Sequence, residues 1–331
     1  MSKKLLLGST ALVGAFALAT PALADIEVTL SGQVEFGVRV HDEEARDESN
    51  RGYYIFMDSE TKIQAEGAAD NGINYSGKVE LETDADVQDL NADETVLAFW
   101  GGFGRVELGR EDGAEDSMFV AGEDFAAGTG GIDGDLENTT LAVVAGSGDA
   151  GKVTYYTPRV GGFQLGASFT PDTGDDQTGS DDDAGDIEEH FGVGANFTTA
   201  AGGADITIAA VGSFGSSEVG DEDLEDFSVG GGVEFAGLGI GAGYVSHGDL
   251  GEGDGFTVGA KYGFGPANVS VGYSLDDRDD ADDEVGFLVF SADYGVFPGV
   301  TLKGDVGFND NDPDAGGEET TAGVVTLQLD Y

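Results

Sequence analysis

The stretch "IEVTLSGQVEFGVRV" (26–40) alternates without a slip. Ile26, Val28, Leu30, Val34, Phe36, Val38 and Val40 fall on one parity, and Glu27, Thr29, Ser31, Gln33, Glu35 and Arg39 on the other. A period of two over this length makes a β-strand with one apolar and one polar face. What that apolar face looks at decides the fold.

The segment before it narrows the choice. "MSKKLLLGSTALVGAFALATPALA" places Lys3 and Lys4 ahead of an apolar run that ends at Ala22-Leu23-Ala24. This is the pattern of a secretory signal peptide with an A-x-A cleavage site. Gly8, Ser9, Thr10 and Gly14 break the run, which is too short and weak for an anchor helix. The expected organisation is a signal peptide over 1–24 and a mature domain over 25–331.

The exported chain has no cysteine, so no disulfide staples it. Its stability must come from a large core or a closed architecture. Of 331 residues 65 are acidic and 14 basic, and without Lys3 and Lys4 the negative excess rises from 51 to 53. Such a surface repels phosphate backbones and excludes nucleic acid as a partner. Acid this dense also suits a saline habitat, where salt screens self-repulsion.

The opening pattern recurs to the C-terminus. It is found in "GINYSGKVELET" (72–83), "GFQLGASFT" (162–170), "HFGVGANFT" (190–198), "ADITIAAVGSF" (204–214) and "DFSVGGGVEF" (226–235). It continues in "GFTVGAKYGF" (255–264), "ANVSVGYSL" (267–275), "VTLKGDVGF" (300–308) and "GVVTLQLDY" (323–331). Less regular runs near 51–66, 94–101, 103–110, 151–158, 237–247 and 284–294 bring the count to about 16 strands, with no helical period in competition. Very short connections such as "GG" (101–102) and "GP" (265–266) mostly alternate with long acidic ones such as "HDEEARDESN" (41–50) and "PDTGDDQTGSDDDAGD" (171–186). Turns of one length class therefore lie at one end of the sheet.

A soluble sandwich also alternates. Here, however, the polar faces carry glycine, serine and charge throughout, and the apolar faces end in Phe or Tyr near the strand tips. An even strand number, aromatic tips, short turns at one end and long polar loops at the other mark a transmembrane antiparallel β-barrel. In lipid only helices and closed barrels satisfy the backbone. A barrel of about 16 strands is too wide for side chains to fill, so it encloses water.

The phrases "FWGGFGRVELGREDGAEDSM" (99–118), "KVTYYTPRVGGFQLGASFTPD" (152–172) and "NGINYSGKVELET" (71–83) carry a resemblance to the general diffusion porins of Gram-negative bacteria, the alphaproteobacterial type in particular. It extends from signal peptide to last residue. One departure is at the end: the family usually closes on Phe, whereas this chain closes on Tyr331. The resemblance implies a sixteen-stranded homotrimer in outer-membrane lipid, passing small hydrophilic solutes and ions. It also implies that the connection after 103–110, running to about 150, folds into the barrel as a constriction.

Strand parity places the lining independently of the family. Arg39, Lys62, Lys78 and Arg105 all take inward positions on neighbouring strands. The long loop offers Glu111, Asp112, Glu115, Asp116, Glu123, Asp124, Asp133, Asp135 and Glu137 against them. A basic wall facing an acidic loop gives a transverse field and charge-based filtering, with an expected preference for cations. The competing reading of these bases is simple neutralisation of wall carboxylates such as Glu80, Glu82 and Glu107.

No cofactor is expected, although carboxylates crowded in the long loop could hold Ca2+. "DNDPDAG" (310–316) begins like an EF-hand, but Gly316 comes one residue late and no Glu stands at the twelfth position. Catalysis is not expected either. The three histidines, His41, His190 and His247, form no HExxH, and no G-x-S-x-G occurs. "GLGIGAGY" (237–244) echoes a nucleotide-binding glycine run without the helix that would bind phosphate, so its glycines are read as sites of close packing or curvature. The alternative function, from another class, is a soluble acidic secreted β-protein that binds cations or a surface partner.

Overall fold

The computed structural model describes residues 26–41, 52–83, 91–136, 141–174, 187–217, 223–278, 283–311 and 320–331. Residues 1–25, which include the expected signal segment, the interiors of most long connections, Glu137 and residues 312–316 of the "DNDPDAG" stretch lie outside the described residues.

Sixteen strands close into one antiparallel barrel. They are β1 (Glu27–His41), β2 (Tyr53–Ala68), β3 (Asn74–Thr83), β4 (Asn91–Gly101), β5 (Gly104–Arg110), β6 (Gly151–Tyr156), β7 (Phe163–Asp172) and β8 (Ile187–Ala201). The second half comprises β9 (Ala204–Ser217), β10 (Asp223–Phe235), β11 (Leu238–His247), β12 (Gly253–Phe264), β13 (Ala267–Arg278), β14 (Asp283–Phe297), β15 (Val300–Asn311) and β16 (Thr320–Asp330). Each strand pairs with its sequence neighbours, and β1 pairs with β16 from Gln33 opposite Asp330 to His41 opposite Ala322. Closure leaves no free edge, which is the condition for a sheet in hydrocarbon.

Connections of two residues at 102–103, 202–203, 236–237, 265–266 and 298–299 lie at one end, and the long ones at the other. Glycine serves the tight turns through positive φ, as at Gly237 (φ 84) and Gly299 (φ 75).

The apolar parity faces outward. Leu30 is 63% exposed and Phe36 46%, while Glu35, next to Phe36 and on the opposite face, is 5% exposed. A soluble sandwich would bury these apolar faces against a second sheet. Here they ring the outside, which excludes that alternative and requires a lipid surround. Near the long-loop end, outward rings meet across neighbouring strands. Phe169 lies 4.8 Å from Phe191, Phe214 5.1 Å from Phe227, and Phe256 5.7 Å from Tyr273, centroid to centroid. Near the short turns Tyr262 and Phe264 stack. These are the two aromatic belts of a membrane barrel.

The buried apolar clusters sit inside the barrel, between its wall and a loop. One gathers Ala114, Met118, Ala142, Val144, Tyr156, Val211 and Val245. The other gathers Phe56, Ile132, Leu136, Phe287, Val289 and Val324.

Candidate functional site: the loop inside the barrel

The connection from β5 to β6 spans 111–150. Two cations at its base fasten both of its ends. Arg110 Nε donates to the Asp149 carbonyl at 3.0 Å. Lys152 Nζ donates to the carbonyls of both Glu111 and Gly148.

From this base the loop enters the lumen and follows the inner wall. It opens with one short helix, α1 (Ala114–Ser117). Ala114 N donates to Ser168 Oγ at 3.1 Å, and the fully buried Glu115 accepts from Ser168 Oγ at 2.8 Å and from Ser147 N and Oγ at 3.1 and 2.9 Å. Two 3-10 turns follow, at Glu123–Phe125 and Gly131–Asp133. The amides of this irregular backbone need acceptors, and inward wall side chains supply them. Gly122 N donates to Thr257 Oγ1 at 3.0 Å, Ala127 N to Ser270 Oγ at 2.8 Å, and Thr129 N to Asp305 Oδ2 at 2.9 Å. On the return limb Ala142 N donates to Ser274 Oγ at 3.1 Å and Ala145 N to Asp226 Oδ2 at 2.9 Å. Asp226 is held in turn by His247 Nδ1 at 2.9 Å.

Glycine at inward strand positions lets the loop lie flat. A Cβ at Gly166 or Gly194 would collide with Met118, and one at Gly272 or Gly307 would crowd Ile132 or Leu136. The loop thus covers the wall from β6 to β16, leaving the lumen bounded by its free face and chiefly by β1 to β5.

The four inward bases stand on that uncovered wall, and two reach the loop. Arg39 Nη2 lies 3.8 Å from Asp135 Oδ1. Lys78 Nζ lies 2.5 Å from Glu111 Oε2 and also pairs with Glu94 of the wall. Lys62 instead pairs with Glu80 at 2.8 Å and Glu60 at 3.4 Å. Arg105 sits beside the short turn at 102–103, pairs with Glu107 at 2.5 Å and covers the Trp100 ring at 5.1 Å.

The loop acids divide by direction. Glu115 is buried behind the loop, and Glu123 accepts from Thr257 Oγ1 at 2.8 Å. Asp116, Asp124 and Asp133 are exposed on the free face. Burial raises the Glu123 carboxyl to about 7. Burial, and then the charge of Asp116, raises Asp112 to about 6. Asp116 and Asp133 are raised mainly by partial burial and further by neighbouring carboxylates, Asp124 among them.

One group of carboxylates among the described residues has metal-like spacing: oxygens of Glu94, Glu111 and Asp112 lie within 4.8 Å of one another. The Lys78 ammonium contacts two of the three.

Sequence reasoning passed over Lys152, Glu94, Asp226, Asp305 and Phe125. Inward parity marks the wall residues among them, but nothing in the chain order tells which wall positions lie beneath the loop.

A family model described as Gram-negative porin matches residues 8–314. No curated protein matches the chain. Among solved structures it is similar to a triple mutant of the Rhodopseudomonas blastica porin, with TM-score 0.69 and 18% identity over 92% of this chain and 100% of that one. It is similar also to the anion-selective porin from Comamonas acidovorans, with TM-score 0.67 and 18% identity over 93% and 100%. A loop-deletion mutant of OmpT, an outer membrane protein of Vibrio cholerae, aligns with TM-score 0.66 and 15% identity over 92% and 99%. At such identities the structures establish the fold, and the family model, spanning most of the chain, establishes the rest: the chain belongs to the Gram-negative porin family and is a β-barrel channel of the outer membrane.

Proposed function

We propose that the channel passes small hydrophilic solutes and ions passively, prefers cations, and performs no catalytic step. The observation that carries the preference is a difference in pairing across the lumen. Arg39, Lys62, Lys78 and Arg105 each contact at least one carboxylate. Asp116, Asp124 and Asp133 enter none of the ion pairs among the described residues. The four bases meet six carboxylates, so the wall offers no uncompensated positive charge, and the loop face is negative; a cation entering the narrows is attracted and not repelled. The sign rests on these residues, since one similar structure is that of an anion-selective porin.

The wall bases thereby act chiefly as neutralisers, with Arg39 and Lys78 also tethering the loop. Lys78 takes the place a Ca2+ ion would fill between Glu94 and Glu111, which favours a channel independent of bound metal. Homotrimer assembly is in keeping with the outward faces of β2 to β4, where Thr61, Gly77 and Thr95 interrupt the apolar surface. Export would end with cleavage after Ala24, leaving Asp25 as the mature N-terminus.

The deciding experiment is the reversal potential of single channels in a planar bilayer under a KCl gradient. Ohmic steps with a cation-positive reversal potential are expected. An anion-positive value would mean that the four wall bases govern the narrows. Folded protein without conductance would remove the diffusion reading.

A further inference from the structure

The glycine runs "SVGGGVEF" (228–235) and "GLGIGAGY" (237–244) form β10, β11 and the turn between them, and their outward residues are Val229, Gly231, Val233, Phe235, Leu238, Ile240, Ala242 and Tyr244. The inward positions between these are Gly230, Gly232, Glu234, Gly239, Gly241 and Gly243, with Gly232 paired to Gly241 and Glu234, at the edge, to Gly239. Five such glycines make a patch of wall with no side chains, at a cost in strand stability that needs a reason.

The loop supplies the reason. Phe125 is buried, and its ring lies directly on this patch: a Cβ at Gly232, Gly239 or Gly241 would collide with it. Ala121 occupies the rest, against Gly230 and Gly243. Both residues carry lumen-facing chemistry beside them. Asp124 precedes Phe125 and accepts from Ala121 N at 2.8 Å through Oδ2. Met118, Phe125 and Ile132 recur every seven residues and dock at β7–β8, β10–β11 and β13 respectively. Phe125 is the middle and largest of these three anchors.

We infer that Phe125 is the positioning residue of the constriction: its ring, seated in a cup of three wall glycines, fixes how far the loop stands from the wall and turns the carboxylate of Asp124 toward the lumen. The inference rests on the diffusion-channel reading and adds to it the residue that sets the bore. The loop limbs flanking Phe125 hang on hydrogen bonds to single wall hydroxyls, which alone leave its height above the wall adjustable. A rigid aromatic body against bare backbone removes that freedom.

The test compares wild type with Phe125→Ala, Phe125→Leu and Gly241→Ala, with Gly102→Ala as control, since a Cβ at Gly102 meets nothing within 4 Å. Folding is read from heat-modifiable migration in SDS, which reports the barrel and not the loop. Single-channel conductance, open-channel noise and reversal potential are then recorded. Phe125→Ala is expected to raise open-channel noise several-fold and to reduce the cation-to-anion permeability ratio by about twofold, with Phe125→Leu restoring most of both. Gly241→Ala displaces the ring toward the lumen and lowers conductance. Wild-type values in both Phe125→Ala and Gly241→Ala would overturn the inference while leaving the channel reading intact. Should Gly241→Ala fail to fold, Phe125→Ala alone decides, because it removes atoms from the loop and none from the barrel strands. A wild-type protein that does not conduct would remove both.

Discussion

Arg39 of β1 and Asp135 of the loop meet at 3.8 Å, and the arginine is fixed from its other sides. Its Nη1 donates to Tyr54 Oη at 2.6 Å, and its guanidinium carbon stands 4.5 Å from the centre of the Phe56 ring. The pair joins the far limb of the loop to the wall that the loop otherwise leaves bare. Both side chains are partly exposed, so the ion pair itself contributes little stability, about 1 kcal/mol or less. Its larger effect is on the field in the lumen. Asp135→Asn would leave the Arg39 charge uncompensated and lower cation preference, and Arg39→Gln would raise it, each by roughly twofold in permeability ratio. Reversal potentials of the two variants would move in opposite directions; a shift of the same sign in both would contradict the pairing.

Acid should quiet the channel and weaken its preference together. Glu123 moves from an ordinary value near 4.5 to about 7 in the docked loop, and Asp112 from 3.8 to about 6. A carboxyl raised in the folded state binds its proton more tightly there. Its stabilisation of the docked loop is therefore complete below the ordinary value and is lost as pH rises through the raised one. Between pH 8 and pH 5 open-channel noise should fall, and so should cation preference as the carboxylates are neutralised. Bilayer recordings across that range check both trends.

Lys152 holds the two ends of the loop through the carbonyls of Glu111 and Gly148. Lys152→Met would strand both carbonyls in a largely buried place, at about 1–3 kcal/mol each. The barrel strands keep their own hydrogen bonds, so the loss is local. Limited proteolysis should cut the variant within 111–150 while its heat-modifiable migration stays that of wild type.

The C-terminal Tyr331 closes the barrel on its outer face, where its side chain reaches across β1 to β2. Its backbone exchanges hydrogen bonds with Gly32 at 3.0 and 3.1 Å, and its hydroxyl lies 2.7 Å from Thr61 Oγ1. Gly32 is glycine because a Cβ there would strike the Tyr331 ring and the Glu60 carbonyl. Tyr331→Phe should cost about 1 kcal/mol, the worth of one ordinary hydrogen bond, and lower the temperature at which SDS unfolds the barrel. Tyr331→Ala should lower it further, through loss of the ring.

Lys78 places its ammonium between the carboxylates of Glu94 and Glu111. Chelation should leave wild-type conductance unchanged, because the ammonium already stands against both Glu94 and Glu111 where a metal ion would bind. Lys78→Gln removes that charge from three convergent carboxylates. Conductance of the variant should then respond to millimolar Ca2+ and recover with chelator.

Strand periodicity was plain wherever the inner face met water. The run "EVGFLVF" (284–290), which alternates poorly, places apolar residues on both parities. The structure shows why: the inward Phe287 and Val289 are covered by Ile132 and Leu136 of the loop, and lipid takes Leu288 and Phe290. The glycines of 237–244, read in the sequence as sites of close packing, are the seat of Phe125. The partner was not legible there, because it lies more than a hundred residues earlier in the chain.

By itself the sequence determined the barrel. A period of two, turn residues at one end, long acidic loops at the other and aromatic strand tips are local signals, and a closed sheet in lipid is the one way to satisfy them together. Parity likewise placed Arg39, Lys62, Lys78 and Arg105 inside. Only the tertiary structure decided what each of them meets. The loop from 111 to 150 has no period of its own, and its course is set by contacts with wall residues far away in sequence. Those contacts assign Asp135 to Arg39 and Glu111 to Lys78, leave Lys62 and Arg105 to wall carboxylates, and turn Asp116, Asp124 and Asp133 toward the water.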